Sequence, residues 1–300
     1  MLAIIIPFYK LTFFEATLQS LAHQSDKRFK VYIGDDASPE DCTTLLQKFE
    51  GKFYFIYHRF ETNLGGSSLT QQWERCIVLS EDEEWLMILG DDDVLGENCV
   101  ANFYNNEIEI RNSTANVIRF ACNVINTEGA VFLGPYFHPK LELASAFYCR
   151  KVKNLTRSSL SEYLFKREVF NKHKFVNYPL AWHSDDKAWL DFSENKPIYT
   201  INEAFVYVRF SAINISGKQD NIPLKLTATF QFYTDLLRDK KNVFTSKQVL
   251  TLLMAFEVIV KKHRKLTLNE WKFLFKYYFL TFKIIPFSKF IRRFLISRST

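Results

Sequence analysis

The strongest constraint on the fold lies in the first ninety residues, where short apolar runs alternate with helical spacing. Residues 2–7 form an unbroken apolar run, as a strand buried on both faces requires. Residues 11–23 follow with Phe14, Leu18 and Leu21 on one helical face. A second strand over 29–34 ends on Asp35-Asp36, and a second helix, opened by Pro39, carries Leu45, Leu46 and Phe49. A third strand over 53–58 leads through the turn Asn63-Leu64-Gly65-Gly66 to a helix over 67–79, with Ser67 or Ser68 as its cap. A fourth strand over 85–89 runs into Gly90-Asp91-Asp92-Asp93. Strands and helices in this order predict parallel strands with right-handed crossovers, hence a doubly wound α/β sheet.

Beyond residue 95 the pattern loosens. Helices are expected over 97–108, 160–170 and 185–195, and strands over 116–124, 130–137 and 198–210. From residue 222 the spacing is helical to the end, with breaks near Asn242, Lys265 and Pro286. The expected organisation is a sheet domain over 1–217 and a C-terminal helical extension over 218–300.

Composition excludes several classes. At 47% hydrophobic and 24% charged residues, the 300-residue chain is neither disordered nor collagen-like. Only 9 Gly and 8 Pro argue against a turn-rich barrel or sandwich. No apolar run reaches the roughly 18 residues of a membrane span. No basic flank or small-residue cleavage site marks a signal peptide, so a cytoplasmic location is expected. The five cysteines include no CxxC pair and the six histidines are scattered, which reads as buried thiols and offers no zinc site. Charge is uneven. Residues 261–300 hold eleven Lys and Arg against Glu270 alone, a net +10, so the chain total of +6 leaves −4 for residues 1–260. The tail therefore suits an anionic partner.

In an open parallel sheet, ligands bind outside the carboxyl ends of the strands. Here those ends carry Asp35-Asp36, the 63–66 turn and the triplet Asp91-Asp92-Asp93. Adjacent carboxylates repel unless a cation neutralises them, and Mg²⁺ or Mn²⁺ with oxygen ligands is the natural answer. A solvated acidic turn is the alternative. No GxGxxG, GxxxxGK[ST] or GxSxG occurs, so a dinucleotide-binding Rossmann enzyme, a P-loop NTPase and an α/β-hydrolase all lose support.

Ile4-Ile5-Ile6-Pro7-Phe8-Tyr9, Gly34-Asp35-Asp36-Ala37-Ser38-Pro39-Glu40-Asp41, Asn63-Leu64-Gly65-Gly66 and Leu89-Gly90-Asp91-Asp92-Asp93 resemble, in order and spacing, the motifs of family 2 glycosyltransferases of the GT-A fold. The resemblance continues faintly to about residue 216. It implies a GT-A mixed α/β sheet, a nucleotide-sugar donor and inverting transfer. Pro7 and Tyr9 match positions flanking the nucleotide base, and Asp36, with Asp35 beside it, matches the carboxylate on the uracil edge. Asn63 and Gly65 fall in the donor-side turn. Asp92 matches the residue near the ribose, and Asp93, with Asp91 as the other end of a DxD, matches the metal position. One departure stands out: Gly90 sits where many relatives carry the first Asp.

An inverting transfer needs a base for the acceptor hydroxyl. Ser184-Asp185-Asp186-Lys187 resembles the acidic pair that supplies it, so the resemblance implies Asp186 as base and Asp185 as its neighbour. Helix capping by Ser184 or Asp185 is a second, compatible reading. Residues 206–216 resemble a segment that closes over the donor, with Arg209 as the residue suited to the diphosphate. Trp182 and His183 stand where an acceptor sugar would stack or bond, with a core Trp as the alternative.

The expected function is metal-dependent transfer of a hexose or N-acetylhexosamine, from a UDP-sugar, to a saccharide or lipid-linked saccharide in cell-surface polysaccharide synthesis. A non-catalytic nucleotide-sugar-binding protein and a metal-dependent phosphohydrolase are the alternatives. Taking Trp271 as zero on a helical wheel, Leu274, Phe275, Tyr278, Phe282 and Ile285 fall within about 60°, beside Lys272, Lys276 and Lys283. That pattern predicts peripheral attachment of 261–300 to an anionic membrane, on the inner face of the cell membrane. A cap packed on the sheet domain, or a homodimer through the C-terminal helices, is the competing reading. Nucleic acid is not an expected partner, because the body is acidic.

Overall fold

The structure is a computed structural model that describes residues 1–239 and 243–299. The chain separates into two compact units, one of Met1–Ala144 and Arg157–Asp220, the other of Ser145–Thr156 and Asn221–Thr300. The helical unit thus contains a twelve-residue segment drawn from inside the span assigned above to the sheet domain.

The first unit is built from β1 (Leu2–Phe8), α1 (Phe14–Ala22), β2 (Phe29–Asp35), α2 (Thr43–Gln47), β3 (Phe55–Arg59), α3 (Leu69–Val78) and β4 (Trp85–Ile88). There follow β5 (Val94–Leu95), α4 (Cys99–Asn105), α5 (Glu107–Ser113), β6 (Val117–Ile125), β7 (Val131–Tyr136) and β8 (Leu141–Leu143). After the excursion through α6 (Ala144–Val152) come β9 (Tyr163–Lys166), α7 (Arg167–His173), α8 (Ser184–Phe192) and β10 (Pro197–Arg209).

Among the described residues the sheet has ten strands, in the order β3-β2-β1-β4-β9-β6-β10-β5, with β7 beside β6 and β8 beside β10. Strands β1 to β4 pair in parallel, as do β6 and β10, while β9 runs antiparallel between β4 and β6. The fold is therefore a mixed sheet made of two parallel blocks joined by one reversed strand. Ile4, Ile6, Val31, Ile33 and Met87 are fully enclosed in its core, which explains the near-continuous apolar runs.

Three expectations change and one choice is resolved. The helix expected over 160–170 is β9 followed by α7. Tyr163, Leu164 and Phe165 are completely buried between β4 and β6, where a strand covered on both faces is apolar throughout. Pro39 does not open α2, which begins four residues later with Cys42 as its N-cap. The helix expected over 97–108 is interrupted at Asn106, giving α4 and α5. The cap of α3 is Ser68, whose hydroxyl accepts from the Gln71 amide.

The second unit combines α6 with α9 (Ile222–Asp239), α10 (Ser246–Lys261), α11 (Leu268–Leu280) and α12 (Ile284–Ser299). The break expected near Asn242 lies outside the described residues. Lys265 falls between α10 and α11, and Pro286 sits in the first turn of α12, where a missing N–H is harmless. Thr245–Gln248 and Thr267–Glu270 form capping boxes that start α10 and α11. Buried Glu257 on α10 receives Arg293 at 2.9 and 3.1 Å and Lys261 at 2.6 Å.

The apolar stripe of the tail is a correction in part. Trp271, Leu274, Tyr278 and Phe290 are buried, and Tyr278 stacks on Phe290 at 4.6 Å and 15°. These rings pack α11 on α12 and are not available to lipid. Aromatic burial of this area outweighs solvent exposure wherever a partner helix is present. Phe279, Phe282, Ile284 and Ile285, at the turn between the two helices, remain open at 57–84% exposure.

Candidate active site

Strands β2 and β3 lie on one side of β1 and β4 on the other, so the sheet changes direction between β1 and β4, where a crevice opens. The ends of β1, β2 and β4 are joined there by polar bonds. As the chain leaves β1, the amides of Tyr9 and Lys10 lose their strand partners, and both donate to Asp91 Oδ2, at 2.8 and 2.9 Å. The Asp36 amide donates to the Phe8 carbonyl at 3.0 Å, and Ser38 Oγ to the Tyr9 carbonyl at 2.7 Å. Pro7 lies opposite Gly34, and Phe8 closes the register of β1 opposite Asp35.

Asp35 and Asp36 are adjacent in sequence but have different surroundings. Fully buried Asp35 accepts the Ser38 amide at 2.8 Å, the Tyr57 hydroxyl at 2.6 Å and Arg59 at 2.7 Å. Its oxygens shape the turn after β2. Asp36 faces the 63–66 turn. It takes the amides of Leu64 and Gly65 at 2.7 and 2.9 Å, and the Arg75 guanidinium at 2.5 Å. A Cβ on Gly65 would lie 2.5 Å from Asp36 Oδ2, so only glycine lets this backbone reach the carboxylate. Asn63 closes the same turn by accepting the Gly66 amide at 2.6 Å.

The acidic triplet after β4 is tightly engaged. Asp93 Oδ1 accepts the Arg209 amide at 2.8 Å, and Oδ2 accepts the Ser161 hydroxyl. Ser161 Oγ also accepts the Gly90 amide at 3.0 Å. Desolvation, followed by the charge of Asp92, pushes Asp93 up to about 7; the same two causes take Asp91 to about 6. Asp92 is raised by desolvation and opposed by a bond from Asn214. A Cβ on Gly90 would stand 3.0 Å from Asp92 Oδ1 and 3.1 Å from Asp93 Oδ2. The two carboxylates therefore converge over the bare face of Gly90, in the place where the family pattern carries an Asp.

Arg209 is held by main-chain carbonyls. Its Nε bonds the Asp92 carbonyl at 2.9 Å and its Nη1 the carbonyls of Asn126 and Thr127 at 2.6 and 3.2 Å, with the guanidinium 4.4 Å over the Phe13 ring. In this structure it braces the loop backbone around the triplet.

Asp186 lies in the first turn of α8, buried, with Oδ2 2.9 Å from His183 Nδ1. His183, at φ 71°, is the N-cap of that helix, and Ser184 bonds back to the Val176 carbonyl at 2.7 Å. Capping by the Ser184 side chain is thus replaced by a tie to the preceding segment. Asp185 is partly exposed beside it.

Residues 3–130 match the model described as Glycosyl transferase family 2. These residues are a family 2 glycosyltransferase segment. Among curated proteins no sequence match was found. Among solved structures, S. aureus TarS 1–349 in complex with UDP-GlcNAc is similar at TM-score 0.67 and 15% identity, over 92% of this chain and 79% of that one. The same protein in complex with UDP gives 0.61 and 16%, over 90% and 76%. GalNAc-T7 with UDP, GalNAc and Mn²⁺ gives 0.54 and 11%, over 81% of this chain and 51% of that one. The fold is of the GT-A type.

The family 2 segment supplies the β1, β2 and β4 ends, and the later chain supplies the rest of the cleft. Three later or intervening residues escaped the sequence reading. Arg75 is one helical turn from Gln72, and only the fold aims it at Asp36. Ser161 bonds both Gly90 and Asp93 but sits in a stretch expected to be helical. Arg157 lies 3.4 Å from Cys122 Sγ and 3.9 Å from Glu162, and its charge acts on Asp93. Among the described residues no three His, Cys, Asp or Glu side chains are grouped to cage a metal ion. The carboxylates of the triplet Asp91-Asp92-Asp93 are the oxygen donors among these residues that could serve a hard cation.

Proposed function

We propose that the protein is an inverting, metal-dependent glycosyltransferase using a UDP-sugar donor and a saccharide or lipid-linked saccharide acceptor in cell-surface polysaccharide synthesis. The observation that supports this reading is the desolvated acidic triplet Asp91-Asp92-Asp93 at the end of β4, in a family 2 segment at the switch point of the sheet. The donor's base is assigned to the floor formed by Pro7, Tyr9, Asp35 and Asp36, with Asn63 and Gly65 closing that side. Asp92 is assigned to the ribose. Arg209 serves the diphosphate side by fixing the loops around it.

Asp93 and Asp91 would hold Mg²⁺ or Mn²⁺, which would supply charge neutralisation for the diphosphate leaving group. Asp186 accepts the acceptor hydroxyl's proton as that oxygen bonds the anomeric carbon. The bond from that carbon to the diphosphate breaks, UDP leaves with the electron pair, and the configuration inverts. Asp185, beside the base, faces the acceptor side.

The tail is assigned to an anionic membrane. Phe279, Phe282, Ile284 and Ile285 form an apolar tip with Lys276, Lys283 and Lys289 around it, the combination an interfacial element needs. Among the described residues no helix is long and apolar enough to cross a membrane. A homodimer through the same tip would appear as a concentration-dependent dimer without lipid.

The test is UDP release from UDP-GlcNAc, UDP-glucose and UDP-galactose with Mn²⁺, beside calorimetry of UDP. The Asp186→Asn protein should keep its UDP affinity while kcat falls roughly 10²-fold or more. No UDP binding with or without Mn²⁺ overturns the donor reading; undiminished kcat in Asp186→Asn overturns the base.

A further inference from the structure

The segment leading into α8 holds three non-glycine residues in left-handed conformation within four positions: Leu180 (φ 60°), Ala181 (φ 52°) and His183 (φ 71°). Strain of this kind persists only where surrounding structure imposes it. The result of the strain is visible. The chain enters α8 so that the His183 carbonyl accepts the first helical bond, from Lys187 at 2.9 Å, while its ring swings over the first turn. Nδ1 then meets Asp186 Oδ2 at 2.9 Å, with the His183 side chain 13% exposed and that of Asp186 2%. The Trp182 ring stands edge-on to the imidazole at 5.8 Å.

We infer that His183 is a positioning residue for Asp186: it donates Nδ1–H to Oδ2 and so fixes the orientation in which the carboxylate meets the acceptor hydroxyl. This rests on the reading of Asp186 as the base. An ionised carboxylate only accepts, so the hydrogen of this contact belongs to Nδ1 of the ring. A carboxylate in the first turn of a helix has free rotation about its terminal torsion unless something fixes it. A buried donor at 2.9 Å fixes it, at a place where a misplacement of about 1 Å costs roughly 10²-fold in rate. The left-handed backbone follows from the same need, because in the ordinary helical region the residue before Ser184 would point its ring away from the first turn.

The decisive comparison is between His183→Asn and His183→Gly. Both residues accept a left-handed backbone, and only Asn can donate to Asp186. Expected are kcat within about fivefold of the parent for His183→Asn, and a loss of roughly 10- to 100-fold for His183→Gly. Donor KM and UDP affinity should stay within about twofold in both, since neither touches the donor floor. Equal kcat in the two variants, or a fall in UDP affinity that tracks the fall in kcat, overturns the positioning role. If His183→Gly does not fold, His183→Asp, equally tolerant of the backbone but unable to donate when ionised, takes its place with the same expected loss. Asp186→Asn separates the two readings. Should it remain active, the base assignment fails; should it be inactive while His183→Gly is fully active, only the positioning role fails.

Discussion

Arg209 donates its backbone N–H to Asp93 Oδ1 at 2.8 Å, across 116 residues of chain. The end of β10 thereby holds the acidic end of β4, and the Arg209 side chain holds the three carbonyls around it. A main-chain donor survives any side-chain change at 209, so the two functions can be pulled apart. Arg209→Ala should leave the Asp93 bond in place and strip the carbonyls of Asp92, Asn126 and Thr127 of their donors. The expected cost is about 2 kcal/mol of stability or more, read as a lower Tm, with UDP affinity falling less than in Asp93→Asn. A Tm equal to the parent's would show that those carbonyls find water instead.

Gly65→Ala tests the clamp on Asp36. The new Cβ would lie 2.5 Å from Asp36 Oδ2, and the obstacle is a carboxylate already fixed by Leu64 and Arg75. The turn must back away, breaking one charge-assisted bond. A loss of roughly 1–3 kcal/mol is expected, together with a higher donor KM and little change in kcat. Unchanged Tm and KM would show the turn to be pliable.

Glu194 sets an acid limb of stability. Bonds from Lys172 at 2.6 Å and His173 at 2.9 Å hold its carboxyl down to about 2. The folded state thus binds that proton less readily than the unfolded chain does, whose carboxyl titrates near 4.5. The stabilisation is fully present above pH 4.5 and disappears as pH falls from there toward 2. Glu194→Gln should lower Tm at pH 6 and leave it unchanged near pH 2, in a buffer series followed by circular dichroism. Equal destabilisation at both ends would assign the effect to packing.

Strands β1 to β4 and the acidic residues at the ends of β2 and β4 were legible because each strand is an apolar run closed by a polar turn. What the runs could not show is which acid serves the fold and which the cleft. Asp35 and Asp36 look equivalent in the sequence, yet Tyr57 and Arg59 occupy one and the 63–66 turn the other. β9 was hidden for a related reason: Tyr163-Leu164-Phe165 fits a buried strand or a buried helix equally, and only its place between β4 and β6 decides. In the tail, the wheel found the apolar stripe on α11 correctly as a stripe. It could not tell that α12 would return to cover half of it.

That division of the tail gives a paired prediction. Leu274→Ala removes a fully buried side chain and should cost roughly 2–5 kcal/mol. Phe282→Asp with Ile285→Asp changes two side chains exposed at 80% and 67%, and should leave Tm within a few degrees. The double variant should no longer float with anionic vesicles at low salt, whereas the parent should. Flotation of both, or of neither, would remove the tip from any lipid contact.

The segment Ser145–Thr156 sets an order on biosynthesis. Its Tyr148 meets Phe232 on α9, edge to face at 5.4 Å, so the helix that is made first finds its partner only after β9, α7, α8 and β10 have been translated. At ribosomal speeds of about 5–20 residues per second, α6 waits several seconds with its aromatic side uncovered. Its contacts are distant in sequence although the unit is all helix, which slows assembly relative to a bundle of neighbouring hairpins. A chain released before α9 would leave that side uncovered permanently, and would be the form most exposed to chaperones and to aggregation.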